Sequence, residues 1–152
     1  MVQKKRGMQS SGSMDNQSLE TVFKGLADIN RLRILNILFQ GELCGCDVQY
    51  ALKASQSNVS RHLTYLKNCG LVLDRRSGYR VYYRLAQGAS VDRKLLFEYL
   101  QQVFNLNGAF KEDVKRLRDA MKEGSCTVSE PKPRRAATSR EKPHSASRGV
   151  SV

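Results

Sequence analysis

Hydrophobic residues recur at helical spacing through most of the chain. Leu19, Val22, Phe23 and Leu26 follow an i, i+3, i+4, i+7 order, which predicts an amphipathic helix over about 16–27. Leu32, Leu35 and Leu38, with Ile34 and Ile37 beside them, predict a second helix over about 29–40, and Gly41 stands where a helix C′ glycine belongs. A short third helix over about 44–53 buries Val48, Ala51 and Leu52. In the stretch SQSNVSRHLTYLKNCG, residues 55–70, Ser55 or Ser57 offers an N-cap, Val59, Leu63 and Leu66 form one face, and Gly70 ends the helix.

The period then changes to two. LVLDRR and YRVYYRL flank Ser77-Gly78 and predict a β-hairpin with a tight turn. Val81, Tyr83 and Leu85 share one face of its second strand; Tyr82 and Arg84 share the other. A last helical stretch covers about 91–122, with Val91, Leu95, Tyr99, Val103, Leu106, Phe110, Val114, Leu117 and Met121 every three or four residues and a kink expected at Gly108. So long a stripe on so small a body favours a two-helix dimer seam over packing on its own body. The fold expected is mainly α with a β-hairpin wing: a winged helix-turn-helix, dimerised through terminal helices. In such folds the second helix of the pair lies in the DNA major groove.

Composition divides the chain into three. Residues 1–15 are polar and rich in Ser, Gly and Lys, which predicts a disordered tail. Residues 16–122 form the DNA-binding and dimerisation domain. Residues 123–152 hold the only three prolines with many Ser and Arg, and read as a disordered basic tail that aids association with DNA electrostatically. The formal charge is +12. Residues 19–123 alone carry 17 bases against 11 acids, so the body is basic without its tails and a polyanion is the expected partner. No apolar run reaches the roughly 18 residues of a membrane span, and the N-terminus has no apolar signal core. A cytoplasmic protein without membrane contact is expected, and in that compartment the four cysteines are thiols or ligands rather than disulfides.

The face of residues 55–67 opposite the apolar one carries Gln56, Ser57, Asn58, Ser60, Arg61, His62, Thr64 and Lys67, and the stretch contains no acid. Gln and Asn pair with adenine edges, Arg with guanine, and Ser or Thr with phosphate or base. An ordinary solvated helix would mix Glu with Lys, so this inventory points to double-stranded DNA; for His62 a base or phosphate contact, or partial burial, is expected. Around the hairpin turn, Arg75, Arg76, Arg80 and Arg84 are placed to reach phosphate or the minor groove, with Asp74 available to pair one of the arginines. Two histidines, one of them in the tail, and no nucleophile–base–orienter set exclude a catalytic reading and a catalytic cofactor.

ELCGCDV at 42–48, SQSNVSRHLTYLKNCGLVLDRR at 55–76 and YRVYYRL at 79–85 together resemble the ArsR/SmtB metalloregulatory repressors, over about residues 19–100 and with most similarity to the arsenical-responsive branch. The resemblance implies a homodimeric repressor of an arsenic resistance operon that leaves its operator when an effector binds: As(III), Sb(III) or a trivalent organoarsenical.

The residues themselves point to the same chemistry. Cys44 and Cys46 open a helix, whose N-terminus favours thiolate, and soft thiolates select As(III), Sb(III), Cd(II) or Pb(II) over hard ions. Gly45 between them argues against a purely structural pair. In a regular helix residues i and i+2 do not face each other, so a shared ion is expected to unwind the first turn and displace residues 56–62. The better-known arsenic box has a third cysteine where this chain has Gln49. Cys69 or Cys126 could supply it; alternatively two sulfurs suffice, which suits a monosubstituted organoarsenical. Zinc sensing on the last helices is disfavoured because residues 90–122 contain no His. The alternatives are a Cd/Pb-responsive repressor and a thiol-redox one, the latter disfavoured because a Cys-x-Cys disulfide is expected to be strained.

Overall fold

The computed structural model describes residues 14–88 and 90–123. Among these residues six helices and three short strands follow one another as α1 (Asn16–Leu26), α2 (Ile29–Leu38), β1 (Leu43–Cys44), α3 (Gly45–Leu52), α4 (Gln56–Asn68), β2 (Val72–Ser77), β3 (Arg80–Leu85), α5 (Val91–Leu106) and α6 (Gly108–Lys122). This is a winged helix-turn-helix: α3 and α4 are the helix pair and β2–β3 the wing.

Short polar side chains start most of the helices. Asp15 accepts from the Ser18 N–H at 2.8 Å, Asp28 from Arg31 at 3.0 Å, Ser55 from Asn58 at 3.3 Å and Ser90 from Arg93 at 3.3 Å. Ser55, not Ser57, is therefore the cap of α4. Gly70 follows α4 with φ +67°, a conformation glycine adopts without strain, and its carbonyl accepts from Arg93 Nη1 at 2.5 Å. That bond ties the end of α4 to the start of α5.

The core is one cluster built from the predicted faces. Leu35, Ile37, Val48, Ala51, Leu66, Leu71 and Leu117 are fully buried, with Ile34, Leu63, Val22 and Val72 at 1% exposure beside them. Each large aliphatic side chain so placed contributes roughly 1.5–3 kcal/mol. Phe39 packs edge-on against Phe97 and Phe104, and Phe104 lies 4.6 Å from Phe110, so α5 and α6 join α2 through aromatic contacts.

The order and bounds of the elements depart from the sequence reading in three places. The predicted helix over 91–122 is two helices. Asn107 adopts an extended conformation (φ −102°, ψ 124°), and its side chain accepts from the Ala109 N–H at 3.0 Å to cap α6, so the chain breaks there rather than bending at Gly108. The long stripe divides accordingly: Phe110 and Leu117 of α6 are buried, while Val91, Leu95, Tyr99, Val103 and Leu106 of α5 stay exposed. The hairpin turn lies one residue later than expected, at Gly78-Tyr79, because Ser77 pairs with Arg80 and Gly78 takes φ +59°. Finally β1, which no pattern announced, pairs antiparallel with β3, Leu43 opposite Tyr83 and Cys44 opposite Tyr82, giving a sheet of order β1-β3-β2.

Candidate functional site

Helix α4 presents Gln56, Ser57, Ser60, Arg61, Thr64 and Lys67 to solvent, with Asn58 half-buried. Arg61 Nη2 donates to Asn58 Oδ1 at 3.4 Å, and the Ser55 and Ser57 hydroxyls lie 3.4 Å apart. His62 does not belong to this face. It is only 8% exposed, and its Nδ1 lies 3.7 Å from Asp28 Oδ1. Its position explains this: His62 is three residues after Val59 and four before Leu66, so it shares their buried side. Beside it Arg31 stacks over the Tyr65 ring at 4.2 Å and donates to the Gly25 carbonyl at 2.6 Å. The α1–α2 corner therefore grips the inner side of α4. Lys67 is exposed but engaged, its Nζ 2.8 Å from Asp74 Oδ2; that ammonium holds the Asp74 carboxyl below the ordinary carboxylate range. Asp74 thus pairs with a lysine of α4 rather than with a wing arginine.

On the wing, Arg76 and Arg84 are exposed and Arg80 is half-buried. Arg75 is bidentate on Glu42, at 3.1 and 2.7 Å, and its guanidinium lies 5.0 Å from the Tyr82 ring centre. The guanidinium lowers the Glu42 carboxyl below its usual range. Tyr79, at the tip, is 95% exposed. Sequence reasoning passed over Tyr79 and Glu42. The one-residue turn shift would have brought Tyr79 to the tip, but no local signal links Glu42 to a residue 33 positions away.

Cys44 and Cys46 are brought together, and here they are joined by a disulfide with a Cα–Cα distance of 5.3 Å. Two expectations change. The first turn need not unwind, because Cys44 is not in the helix. It is the N-cap, extended at φ −77° and ψ 158°, and this turns its side chain toward Cys46. The disulfide, disfavoured on the ground of strain, forms for the same reason: the Cα separation falls within the usual disulfide range. Asp47 completes the group. Its Oδ2 accepts from the Cys44 N–H at 3.2 Å, and a carboxylate oxygen of Asp47 and the two sulfurs lie within 4.8 Å of one another. Cys69 is elsewhere, a buried free thiol at the end of α4, 3.0 Å from where a Gly25 Cβ would be. Cys126 lies outside the described residues.

Two faces are apolar yet open. Leu19 and Phe23 of α1, and the α5 row from Val91 to Leu106, are 38% to 86% exposed. Among the described residues no helix is long and apolar enough to cross a membrane.

The profile of the bacterial regulatory proteins of the arsR family matches residues 28–73, which run from the cap of α2 into β2. The arsenic resistance transcriptional regulator ArsR1 of Pseudomonas putida is 52% identical over 65 residues, 42% of this chain and 51% of that protein. The arsenical resistance operon repressor of Staphylococcus aureus is 39% identical over 72 residues, 47% of this chain and 69% of that protein. The homodimeric winged helix-turn-helix DNA-binding domain of a possible ArsR-family regulator from Mycobacterium bovis superposes with a TM-score of 0.51 at 35% identity, covering 62% of this chain and 90% of that domain. The chain spans about half the length of the first curated relatives it matches. With the helix pair, the wing and the cysteine box in one order, the chain belongs to the arsR family of bacterial regulatory proteins.

Proposed function

We propose that this protein is a cytoplasmic transcriptional repressor of an arsenic resistance operon. It binds operator DNA as a homodimer and leaves it when a trivalent arsenical or antimonite bridges Cys44 and Cys46. The observation that carries this reading is the place of the pair. Cys44 is a strand residue opposite Tyr82 of the wing, while Cys46 is in α3, which leads through Lys53, Ala54 and Ser55 into α4. A ligand joining the two sulfurs acts on both DNA-contacting elements at once. Gln56, Ser57, Asn58, Ser60 and Arg61 are the residues assigned to the major groove. Lys67, Arg75, Arg76, Arg80 and Tyr79 are assigned to the backbone and the adjacent minor groove. The exposed α5 row, with Leu19 and Phe23, is assigned to the dimer seam.

The disulfide favours a second reading, a repressor switched by thiol oxidation. Fluorescence anisotropy of the reduced protein on DNA from its own promoter region separates the two. The arsenical reading expects release by arsenite, antimonite or methylarsenite, and loss of that response with unchanged DNA affinity in Cys44→Ser. Release by peroxide that a reductant reverses, with indifference to arsenicals, supports the redox reading. Release by Cd(II) alone would overturn the arsenic assignment.

A further inference from the structure

We infer that Asp47 is the third member of the arsenical site, accepting a hydrogen bond from the hydroxyl that As(III) retains after both sulfurs have bound. This rests on the function proposed above. As(III) forms three bonds, and this chain has Gln49 where a third thiol would complete the cysteine box. Cys69, the one other cysteine among the described residues, is buried at the far end of α4 against Gly25 and Leu71 and is not in the group. The polar group beside the two sulfurs is a carboxylate. Asp47 is half-buried on the first turn of α3, held in place by the Cys44 N–H, with an oxygen within 4.8 Å of both sulfurs.

The chemistry follows from two thiols and one acceptor. The dithiol form, produced by two-electron reduction of the disulfide, condenses with As(OH)₃. Two As–S bonds replace two As–O bonds, two waters leave, and the arsenic keeps one hydroxyl; its oxidation state does not change. A carboxylate accepts more than one hydrogen bond, so Asp47 can keep its bond from Cys44 and take the As–OH proton donor as well. Hydrogen bonds to a charged acceptor are the stronger kind. Methylarsenite, CH₃As(OH)₂, loses both hydroxyls to the same condensation and presents a methyl group instead. It offers Asp47 nothing to hold.

The two arsenicals therefore separate a ligand-binding role from a structural one. The full chain is reduced with a phosphine, freed of reductant without air, and titrated with arsenite and with methylarsenite, following the sulfur-to-arsenic absorption band. Asp47→Ala is expected to lower arsenite affinity about tenfold or more beyond any loss for methylarsenite, since the lost Cys44 N–H contact affects both arsenicals alike. Asp47→Asn keeps an acceptor oxygen and should recover part of the loss. Equal loss for both arsenicals would show that Asp47 only caps α3, and no loss for either would also overturn the assignment. Wild-type protein that binds neither arsenical overturns the proposed function together with this inference, a result read before any variant is made.

Discussion

Arg33 and Asp113, eighty residues apart, form a bidentate pair at 2.7 and 2.8 Å, with the carboxylate 1% exposed. Arg116 closes on the same carboxylate and donates its Nε to the Ala51 carbonyl at 2.8 Å, while Asn36 donates to the Phe110 carbonyl at 2.8 Å. Helix α6 is thus clasped to α2 and to the end of α3. Removing a buried partner leaves charge uncompensated. Asp113→Ala should destabilise by about 3 kcal/mol, at the low end for such a loss because both guanidiniums keep partial access to water. Urea unfolding with an unchanged midpoint would show the clasp to be ornamental.

Arg61 and His62 are neighbours with opposite orientation. Arg61→Ala should weaken operator binding by about 1–3 kcal/mol and leave the melting temperature alone. His62→Ala should do the reverse in the free protein, lowering stability by about 1–3 kcal/mol through loss of packing beneath α4. Anisotropy and thermal melts on the same samples would check both.

Adjacent wing arginines should differ in their salt signature. Arg76→Ala should reduce the slope of log K against log salt by about one, as expected for a lost phosphate contact. Arg75 is already neutralised by Glu42, so Arg75→Ala should change that slope less. Equal slopes would mean that DNA displaces Glu42 from Arg75.

The α5 row predicts assembly. Tyr99→Glu or Leu95→Glu should shift sedimentation from dimer to monomer and lower affinity for a two-half-site operator, with helical content preserved. A variant that remains dimeric would move the seam elsewhere.

Burial pushes the Cys69 thiol above the ordinary thiol range, against a smaller opposing effect from Arg31. Since folding suppresses its ionisation, its contribution to stability is complete at neutral pH and is lost as pH rises through the range where thiols ionise. Mapping alkylation by mass spectrometry should find Cys69 slow at neutral pH and faster in alkali.

Much of this was legible in the sequence because apolar spacing and caps are local. Leu19 to Leu26, Leu32 to Leu38, Val59 to Leu66 and the serine cap of α4 place three helices to within a residue or two, while the aspartate caps of α1 and α2 emerge only in the structure. The burial of His62 follows from its step between Val59 and Leu66, but its polar side chain suits a DNA face equally well, so the sequence left both open. Spacing names the residues that share a face but not what covers that face, so the row from Val91 to Met121 looked continuous although Asn107 divides it. Partners in different elements, such as Glu42 with Arg75 or Lys67 with Asp74, leave no periodic trace. Strand β1 is too short to have a period, and with it went the true setting of Cys44.

That two-residue strand also sets a scale. Two registered pairs with β3 amount to about two backbone hydrogen bonds, worth about 1–3 kcal/mol together. A ligand that made Cys44 let go of β3 would forfeit that much support for the wing, which corresponds to roughly a 5- to 150-fold change in grip on DNA. Under the proposed function, a longer strand would hold the wing against the ligand and no strand would leave the ligand without a route to it; at two residues, the β1–β3 seam is small enough for a bound ligand to overcome.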